Sequence, residues 1–486
     1  MNLKSTLITL GFLATITSFA QDKTDFVYAS MEASHARELK ESHPDKIDIL
    51  LTNRELASVY IHPEVAHELH QKILSHGPGY LQHASLAEVN QLIQRPVVEA
   101  RQVLNYNITE QVYVNQLLNE VNEDNIEELI QHLENYGTRF HTKPEANLAA
   151  EDLKDRWQAM ITAARRENDV SVRIVDHVNT PMKSVVLTIN GNELPSEYVI
   201  IGGHLDSTVS GSNKSFAPGA DDNASGIATI TEAARVLLAN DFKPKRTVEI
   251  MAYAAEEIGL VGSNEIATSY ANQGKNVVGY VQFDMTGYKG STQDVYLATD
   301  YFIDNTLNLF LIELMEEYNS SGNHQFSYGT TKCNYGCSDH YSWAMNNYPA
   351  AFPFEASFNQ SSHFIHTVND TYTNLGGTPS HSAKFTKLAI QFLVEASKRS
   401  EILAVNNLDK TKAKFYVDQK FVGFDVPTNV TIKSATVINV AGQKVATKVG
   451  LNNNDKINLN QLSKGAYILV LETTSGEKLT HKFILK

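Results

Sequence analysis

Three apolar runs in the middle of the chain have the length of buried strands, and each leads directly into ionisable residues. The runs and the residues that follow them are 198–203 before His204, 248–255 before Glu256 and Glu257, and 277–283 before Asp284. Helical patterns alternate with these runs, which predicts a mixed, mostly parallel sheet covered by helices on both faces. In such a sheet the carboxyl ends of the strands share one edge, where ligands gather. The sequence therefore predicts an α/β domain that brings these ionisable side chains together.

The side chains expected near this edge include a complete set of zinc ligands. The set consists of two imidazoles and three carboxylates, namely His204, Asp222, Glu257, Asp284 and His366. Zinc in proteins usually takes four ligands, and imidazole nitrogen and carboxylate oxygen are among its common donors. Two zinc ions would each take one His, one terminal carboxylate and a shared bridging carboxylate. The pattern indicates a hydrolase.

Six short motifs resemble, in the same order, the signatures of the zinc aminopeptidases of peptidase family M28. They are His204-Leu-Asp-Ser, Ala217-Pro-Gly-Ala-Asp-Asp-Asn-Ala-Ser-Gly, Ala252-Tyr-Ala-Ala-Glu-Glu-Ile-Gly, Phe283-Asp-Met-Thr, Cys333-Asn-Tyr-Gly-Cys-Ser-Asp-His and Ile365-His-Thr. The resemblance runs from about Asn107 to Lys398 and is to the secreted bacterial leucyl aminopeptidases. It implies a metallo-aminopeptidase with a catalytic domain at residues 105–399 in the zinc-exopeptidase fold.

The resemblance also implies a role for each ligand. Asp222 would bridge the two zinc ions. His204 and Asp284 would complete one site. Glu257 and His366 would complete the other.

Further residues are expected beside these ligands. Asp221 precedes the bridging Asp222, but the second Asp of the motif matches the family's ligand, so Asp221 is expected to support the centre without binding metal. The resemblance also implies a cis peptide bond between Asp222 and Asn223. Asp206 lies two residues after His204, on the same side of an extended segment. It is expected to accept a hydrogen bond from the His204 nitrogen that faces away from zinc, although a plain surface aspartate is the alternative.

Two residues are expected to act on the substrate without binding metal. The resemblance implies that Glu256, beside Glu257, takes the proton of a water bridging the two ions and passes it to the leaving amine. Tyr335 resembles the family tyrosine that donates a hydrogen bond to the developing oxyanion. In an exported protein the flanking Cys333 and Cys337 are expected to form a disulfide, with metal binding as the alternative. The disulfide would hold Tyr335 in place.

Five apolar residues match the positions that line the side-chain pocket of the leucyl aminopeptidases. They are Met285, Phe352, Phe354, Phe358 and Ile365. Such a pocket favours Leu, Met or Phe at the substrate's N-terminus and disfavours charged residues, because burying an unpaired charge is costly. A simple place in the hydrophobic core is the alternative for any one of these aromatic residues. The substrate would need a free N-terminus if its α-amine coordinates one zinc.

Two other activities of the same fold are alternatives. A glutaminyl-cyclase-like enzyme would use a single zinc, whereas this sequence keeps all five ligands, Asp284 included. A carboxypeptidase or deacylase with two zinc ions could share the ligands. The disulfide loop around Tyr335 and the Phe-rich pocket favour an aminopeptidase over a carboxypeptidase or deacylase.

Residues 1–20 have the features of a secretory signal peptide. Lys4 precedes an apolar run over 7–16, and Ser18-Phe-Ala precedes the expected cleavage site. The run is too short to span a membrane, and no later stretch reaches the roughly 18 apolar residues that a span needs. The formal net charge of −14 argues against a nucleic-acid partner. We expect a monomer that is exported through the periplasm to the cell surface or the medium.

The segment 21–104 precedes the region of resemblance and is rich in histidine. Its clustered histidines are His62, His67, His70, His76 and His83. Related secreted aminopeptidases are made with N-terminal propeptides, and this segment resembles one. We interpret it as a small folded leader with surface histidines. A metal-binding or inhibitory segment is the alternative.

The pattern changes again near the C-terminus. Residues 400–413 are expected to form a linker, and 414–486 show short alternating strands separated by turns, which predicts a small β-sandwich. Leu462-Ser-Lys-Gly-Ala-Tyr and the terminal Lys482-Phe-Ile-Leu-Lys resemble the sorting domains of the type IX secretion system. The partner of this domain would be the secretion machinery. A sugar- or protein-binding module is the alternative.

Overall fold

The computed structural model divides the chain into two compact units. One unit extends to Arg399 and the other begins at Ser400. The residues that the structure describes are 25–53, 55–72, 76–94, 106–400, 414–418, 420–426, 431–439, 442–452, 455–474 and 478–485. The predicted signal peptide lies outside this part of the chain, as does nearly all of the predicted linker.

The N-terminal residues of the first unit form a small α/β fold. Its elements are β1 (Val27–Glu32), α1 (Ala33–Ser42), β2 (Ile47–Thr52), β3 (Leu56–Ile61), α2 (Pro63–Lys72), β4 (Tyr80–His83) and α3 (Leu86–Gln94). The strands are antiparallel in the order β2-β3-β1-β4. Ala29, Val59 and Leu69 belong to a core formed by this segment alone. The prediction of surface histidines is wrong for His76 and His83, whose side chains are buried.

The rest of the first unit is built on a six-stranded mixed sheet. Its strands, together with those of a smaller sheet, are β5 (Val170–Val175), β6 (Ser184–Ile189), β7 (Leu194–His204), β8 (Arg246–Tyr253), β9 (Asn276–Gln282), β10 (Val295–Ala298), β11 (Tyr328–Thr331), β12 (Ala350–Ala351) and β13 (Pro353–Phe354). The order across the large sheet is β12-β9-β7-β8-β6-β5, and β10 pairs with β11 and β13 in the small one. Strands β12, β9, β7 and β8 are parallel, whereas β6 and β5 pair in antiparallel fashion. The three strands expected to end together, β7, β8 and β9, are therefore parallel neighbours.

Helices cover both faces of this sheet, as the sequence predicts. They are α4 (Gln111–Leu118), α5 (Glu123–Glu134), α6 (Pro144–Ala164), α7 (Gly226–Ala239), α8 (Val261–Asn272), α9 (Asn305–Asn319), α10 (His340–Met345) and α11 (Ser380–Ser397). Successive residues of a strand point to opposite faces. Val199 and Ile201 accordingly pack in one core with α6, α7 and α11, and Ile200 packs in another with α8 and α10.

The second unit is an all-β sandwich, as predicted. Its strands are β14 (Lys414–Val417), β15 (Phe421–Asp425), β16 (Ile432–Asn439), β17 (Lys444–Val449), β18 (Lys456–Asn458), β19 (Gly465–Thr473) and β20 (Lys478–Leu485). They form two antiparallel sheets, β14-β15-β18 and β17-β16-β19-β20. Phe424 of the first sheet and Leu469 of the second share one core. No helix in the described part of either unit is both long and apolar enough to cross a membrane.

Candidate metal centre

The carboxyl ends of β7, β8 and β9 deliver four of the predicted site residues. His204 is the last residue of β7, and Asp284 lies two residues beyond β9. Glu256 and Glu257 begin a short helical turn after β8, where Ala255 adopts a φ of 55° that bends the chain sharply. All four side chains are buried. The parallel neighbours thus bring distant parts of the sequence to one edge.

Asp222, the predicted bridging ligand, does not follow a strand. It lies in an irregular helical turn, Ala220–Ser225, before α7. The peptide bond between Asp222 and Asn223 is cis, as the resemblance implies. The Asn223 side chain donates to the carbonyl of Phe283 (3.1 Å) and accepts from the backbone N–H of Met285 (3.2 Å). The Asn223 side chain therefore ties this turn to the loop after β9.

The Asp222 carboxylate lies between two imidazoles. Its Oδ1 is 2.9 Å from His204 Nε2, and its Oδ2 is 2.8 Å from His366 Nε2. Asp284 Oδ1 lies 3.3 Å from the same nitrogen of His204, and Glu257 Oε2 lies 3.2 Å from that of His366. The five residues form two groups that share Asp222. We call them the His204 trio (with Asp222 and Asp284) and the His366 trio (with Asp222 and Glu257).

The two trios fit divalent zinc. Three buried carboxylates face two imidazoles, so the site needs further positive charge. No hydrogen bond reaches Glu257 Oε1 from any described residue, which leaves this buried oxygen available to a cation. Burial alone would lower the pKa of His366, but Glu257 and Asp222 raise it to about 10. The donor set of imidazole and carboxylate is the one that zinc prefers in hydrolases.

Asp206 makes more hydrogen bonds within the site than the sequence predicts. Its two carboxylate oxygens accept from the backbone N–H groups of Glu256 (3.0 Å) and Glu257 (3.2 Å). His204 Nδ1 lies 3.1 Å from the backbone carbonyl of Asp206 and 3.5 Å from its carboxylate. The imidazole thus has the peptide carbonyl as its nearer acceptor and the carboxylate as a more distant one. Asp206 is fully buried, so the alternative of a surface aspartate is wrong.

A second group of buried carboxyls lies behind the bridging residue. Asp370 accepts from the backbone N–H groups of Asp221 (2.9 Å) and Asp222 (3.1 Å). The Asp221 carboxyl accepts from Gly287 N (3.0 Å) and shares a hydrogen bond with Glu355. Burial raises the pKa of Asp221 to about 7 and that of Glu355 well above its usual range. The Asp221 carboxyl is therefore engaged by its own partners behind the centre.

The predicted pocket residues lie together beside the disulfide. Cys333 and Cys337 are joined, and Tyr335 between them is buried. One apolar cluster contains Met285, Phe352, Phe354 and Ile365 with these three residues, and Phe358 packs against it. The hydroxyl of Ser338 donates to Asp284 Oδ2 at 2.5 Å, which links the disulfide loop to the His204 trio. This apolar cluster thus adjoins the metal centre.

Arg139 is a buried cation to which no sequence motif points. Its guanidinium donates to the carbonyls of Leu205, Pro218 and Gly219, each at 2.8 Å. It therefore joins the loop after β7 to the loop that leads into Asp222. Only the folded chain brings these carbonyls together, so a motif of consecutive residues cannot reveal the role of Arg139.

A cavity of about 390 Å³ adjoins the His366 trio. Glu257 and His366 form part of its wall, and Phe140 forms another part. Glu64 and His67 of α2 lie on the cavity as well, so the N-terminal segment also borders it. The metal centre therefore has an apolar cluster beside one trio and an open cavity beside the other.

Replacing Asp206 by asparagine tests whether its two hydrogen bonds support zinc binding. Asp206→Asn removes one acceptor for the turn that carries Glu257, so zinc should bind about ten- to hundredfold more weakly. Titration against a chromophoric chelator measures this affinity. Asp155→Asn, at an exposed position on α6, is the control and should bind zinc as the wild type does. Unchanged affinity in Asp206→Asn would contradict the assignment.

Known proteins share both the catalytic region and the C-terminal unit. Peptidase family M28 matches residues 184–393, and the secretion system C-terminal sorting domain matches residues 411–486. A probable aminopeptidase of Saccharomyces cerevisiae is 35% identical over 244 residues, which are 49% of this chain and 63% of that protein. A probable leucine aminopeptidase of Arthroderma benhamiae is 30% identical over 334 residues, which are 68% of this chain and 88% of that protein.

Among solved structures, the LapA aminopeptidase of Legionella pneumophila is similar with a TM-score of 0.66 and 30% identity. The similarity covers 77% of this chain and 99% of that one. The shared fold is the one that positions the two trios. The chain therefore belongs to peptidase family M28, in which it is a metallo-aminopeptidase with a C-terminal sorting domain of the type IX secretion system.

Proposed function

We propose that this aminopeptidase binds two zinc ions, one at each trio, and releases large apolar residues from the N-termini of peptides. The observation that carries the proposal is the position of Asp222. Its two oxygens face different imidazoles, at 2.9 Å from His204 and 2.8 Å from His366. A centre for one metal would not need a carboxylate shared in this way.

Glu256 is proposed to take a proton from the attacking water and to give it to the leaving amine. The two ions, when bound, would acidify a water and polarise the scissile carbonyl. The Glu256 backbone is fixed by Asp206, and its side chain is only 1% exposed. No described residue hydrogen-bonds to Glu256 Oε1, so this oxygen is available as a proton acceptor beside ligand Glu257.

Tyr335 is proposed to donate a hydrogen bond to the scissile carbonyl as negative charge develops on its oxygen. The disulfide joins Cys333 and Cys337, which flank Tyr335, and so limits the movement of the Tyr335 ring. In this structure the Tyr335 hydroxyl already donates to a peptide carbonyl, that of His76. This contact supports the proposal, because it places a peptide carbonyl within reach of the hydroxyl.

Two substitutions separate proton transfer from metal binding. The wild type should contain two zinc ions per chain and lose activity on chelation. Glu256→Gln should keep both ions and lose about 10²- to 10⁴-fold in kcat, because a general base is missing. Asp222→Asn should lose metal as well, because both sites share this ligand. Elemental analysis and hydrolysis of leucyl anilide measure these effects. One zinc in the active wild type, or near-normal turnover of Glu256→Gln, would contradict the roles.

The apolar cluster beside the His204 trio supports a preference for Leu, Met or Phe. A charged side chain in this pocket would be buried without a partner, which costs more than the roughly 1–3 kcal/mol of an unpaired neutral polar group. Leucyl anilide should therefore exceed lysyl and glutamyl anilides by at least about tenfold to hundredfold in kcat/KM. Phe354→Ala should reduce kcat/KM for leucyl anilide, whereas Leu309→Ala, at an exposed site on α9, should not. Faster hydrolysis of a charged substrate would refute the preference.

We further propose that 21–104 is a propeptide and that the C-terminal unit serves export alone. All five ligands lie between His204 and His366 in the first unit, and the sorting-domain match lies in the second. A chain that ends at Ser400 should therefore keep its kcat/KM but remain in the periplasm. Activity in the medium and in the periplasm of a type IX-secreting host measures the outcome. Secretion of the truncated chain would disprove the export role.

A further inference from the structure

A short stretch of the N-terminal segment, 76–79, lies against the disulfide loop beside the metal centre. His76 Nδ1 is 2.7 Å from the carbonyl oxygen of Cys337, and the Tyr335 hydroxyl donates to the carbonyl of His76. At Gly77, where φ is +59°, an added Cβ would lie 2.1 Å from that same oxygen of Cys337. Only glycine permits so close an approach. The sequence of the leader is therefore suited to this contact.

The strand that follows holds this stretch in place. Gln82 N–H donates to the carbonyl of Gly259 (2.9 Å), and Asn264 donates to the carbonyl of Gln82 (2.8 Å). The Tyr80 hydroxyl donates to the carbonyl of Ile258 (3.0 Å). These bonds attach β4 to the helical turn after β8 and to the start of α8. The leader is thus anchored next to the turn that carries the proposed base.

The His76 imidazole reaches the metal centre itself. Its side chain is 1% exposed, and its Nε2 lies 3.4 Å from Asp284 Oδ2, which is longer than a normal hydrogen bond. Donor atoms of His76, Asp222 and Asp284 all lie within 4.8 Å of one another. The 3.4 Å between His76 Nε2 and Asp284 Oδ2 suits two ligands of one zinc ion, because tetrahedral zinc with bonds of about 2.0–2.2 Å places its ligand atoms about 3.3–3.6 Å apart. His76 is therefore placed as a further donor beside Asp222 and Asp284, two members of the His204 trio.

The hydrogen bond to Cys337 decides which nitrogen of His76 can bind metal. A carbonyl oxygen can only accept, so Nδ1 carries the proton and Nε2 of the neutral ring presents its lone pair. Metal-binding histidines are commonly oriented in this way by a bond from the other ring nitrogen. The ring also packs edge-on against Phe354, with centroids 5.5 Å apart. One imidazole thus faces both the metal centre and the apolar pocket.

We propose that His76 is a zinc ligand of the His204 trio in the intact chain and keeps the enzyme latent. Its Nε2 takes the coordination position that the α-amine of a substrate needs. Its carbonyl uses the hydrogen bond of Tyr335, and its ring covers the apolar pocket. Removal of the leader frees all three positions at once. This inference rests on the two-zinc aminopeptidase function proposed above.

The test uses the full-length chain loaded with Co²⁺, whose visible absorption spectrum reports the number and type of its ligands. His76→Phe keeps a ring in the pocket but has no donor nitrogen, and His76→Ala removes the ring as well. Both should change the Co²⁺ spectrum recorded without substrate. His43→Phe is the control, because His43 pairs with Glu68 within the leader, and it should leave the spectrum unchanged.

Hydrolysis of leucyl anilide by the zinc-loaded, full-length variants gives the second measurement. His76→Ala should be about tenfold or more faster than the wild type, because more of the enzyme is competent to bind substrate. Identical Co²⁺ spectra in the wild type and both His76 variants would overturn the inference, whatever the rates. A changed spectrum with no hydrolysis by any variant, or by the wild type after the leader is removed by proteolysis, would support the ligand and refute the aminopeptidase function instead.

Discussion

The Asp222 carboxylate can serve two imidazoles only if the backbone that carries it is held in one orientation. Each oxygen must face a different nitrogen, and a small rotation would lose both contacts. Asp370 accepts the N–H groups of Asp221 and Asp222, and the Asn223 side chain bonds to the loop after β9. The contacts around the metal centre therefore serve to keep the Asp222 backbone in this orientation.

The loops around the centre are joined mainly by side chains that bind peptide groups. Arg139 bonds to carbonyls of two loops, and Asp206 bonds to two successive N–H groups. Every residue offers a backbone carbonyl and, except for proline, a backbone N–H group. These contacts therefore depend only on the side chains of Arg139 and Asp206. All of them are buried, where an unpaired polar group is costly. The loops therefore have little freedom to move independently.

The elements that carry the ligands follow from local sequence patterns, which explains why they could be predicted. The apolar runs before His204 and Asp284 are central strands. Asp370 and Arg139 could not be predicted, because their partners are peptide groups far away in the sequence. His76 is 261 residues from Cys337. The only local hint was the Gly-Pro-Gly sequence that follows His76, which favours a tight turn and a close backbone approach.

His76 and the apolar cluster that it contacts belong to the same chain, so the contact can form even if it is weak. A tethered group experiences a local concentration that can be on the order of millimolar, and it occupies its site even when its intrinsic affinity is modest. Cleavage of the connection would convert this group into an ordinary dissolved ligand. In the large volume outside a cell, dilution would then make the release of the leader effectively irreversible. A weak intramolecular contact of this kind can keep an enzyme silent before export and leave no lasting inhibitor afterwards.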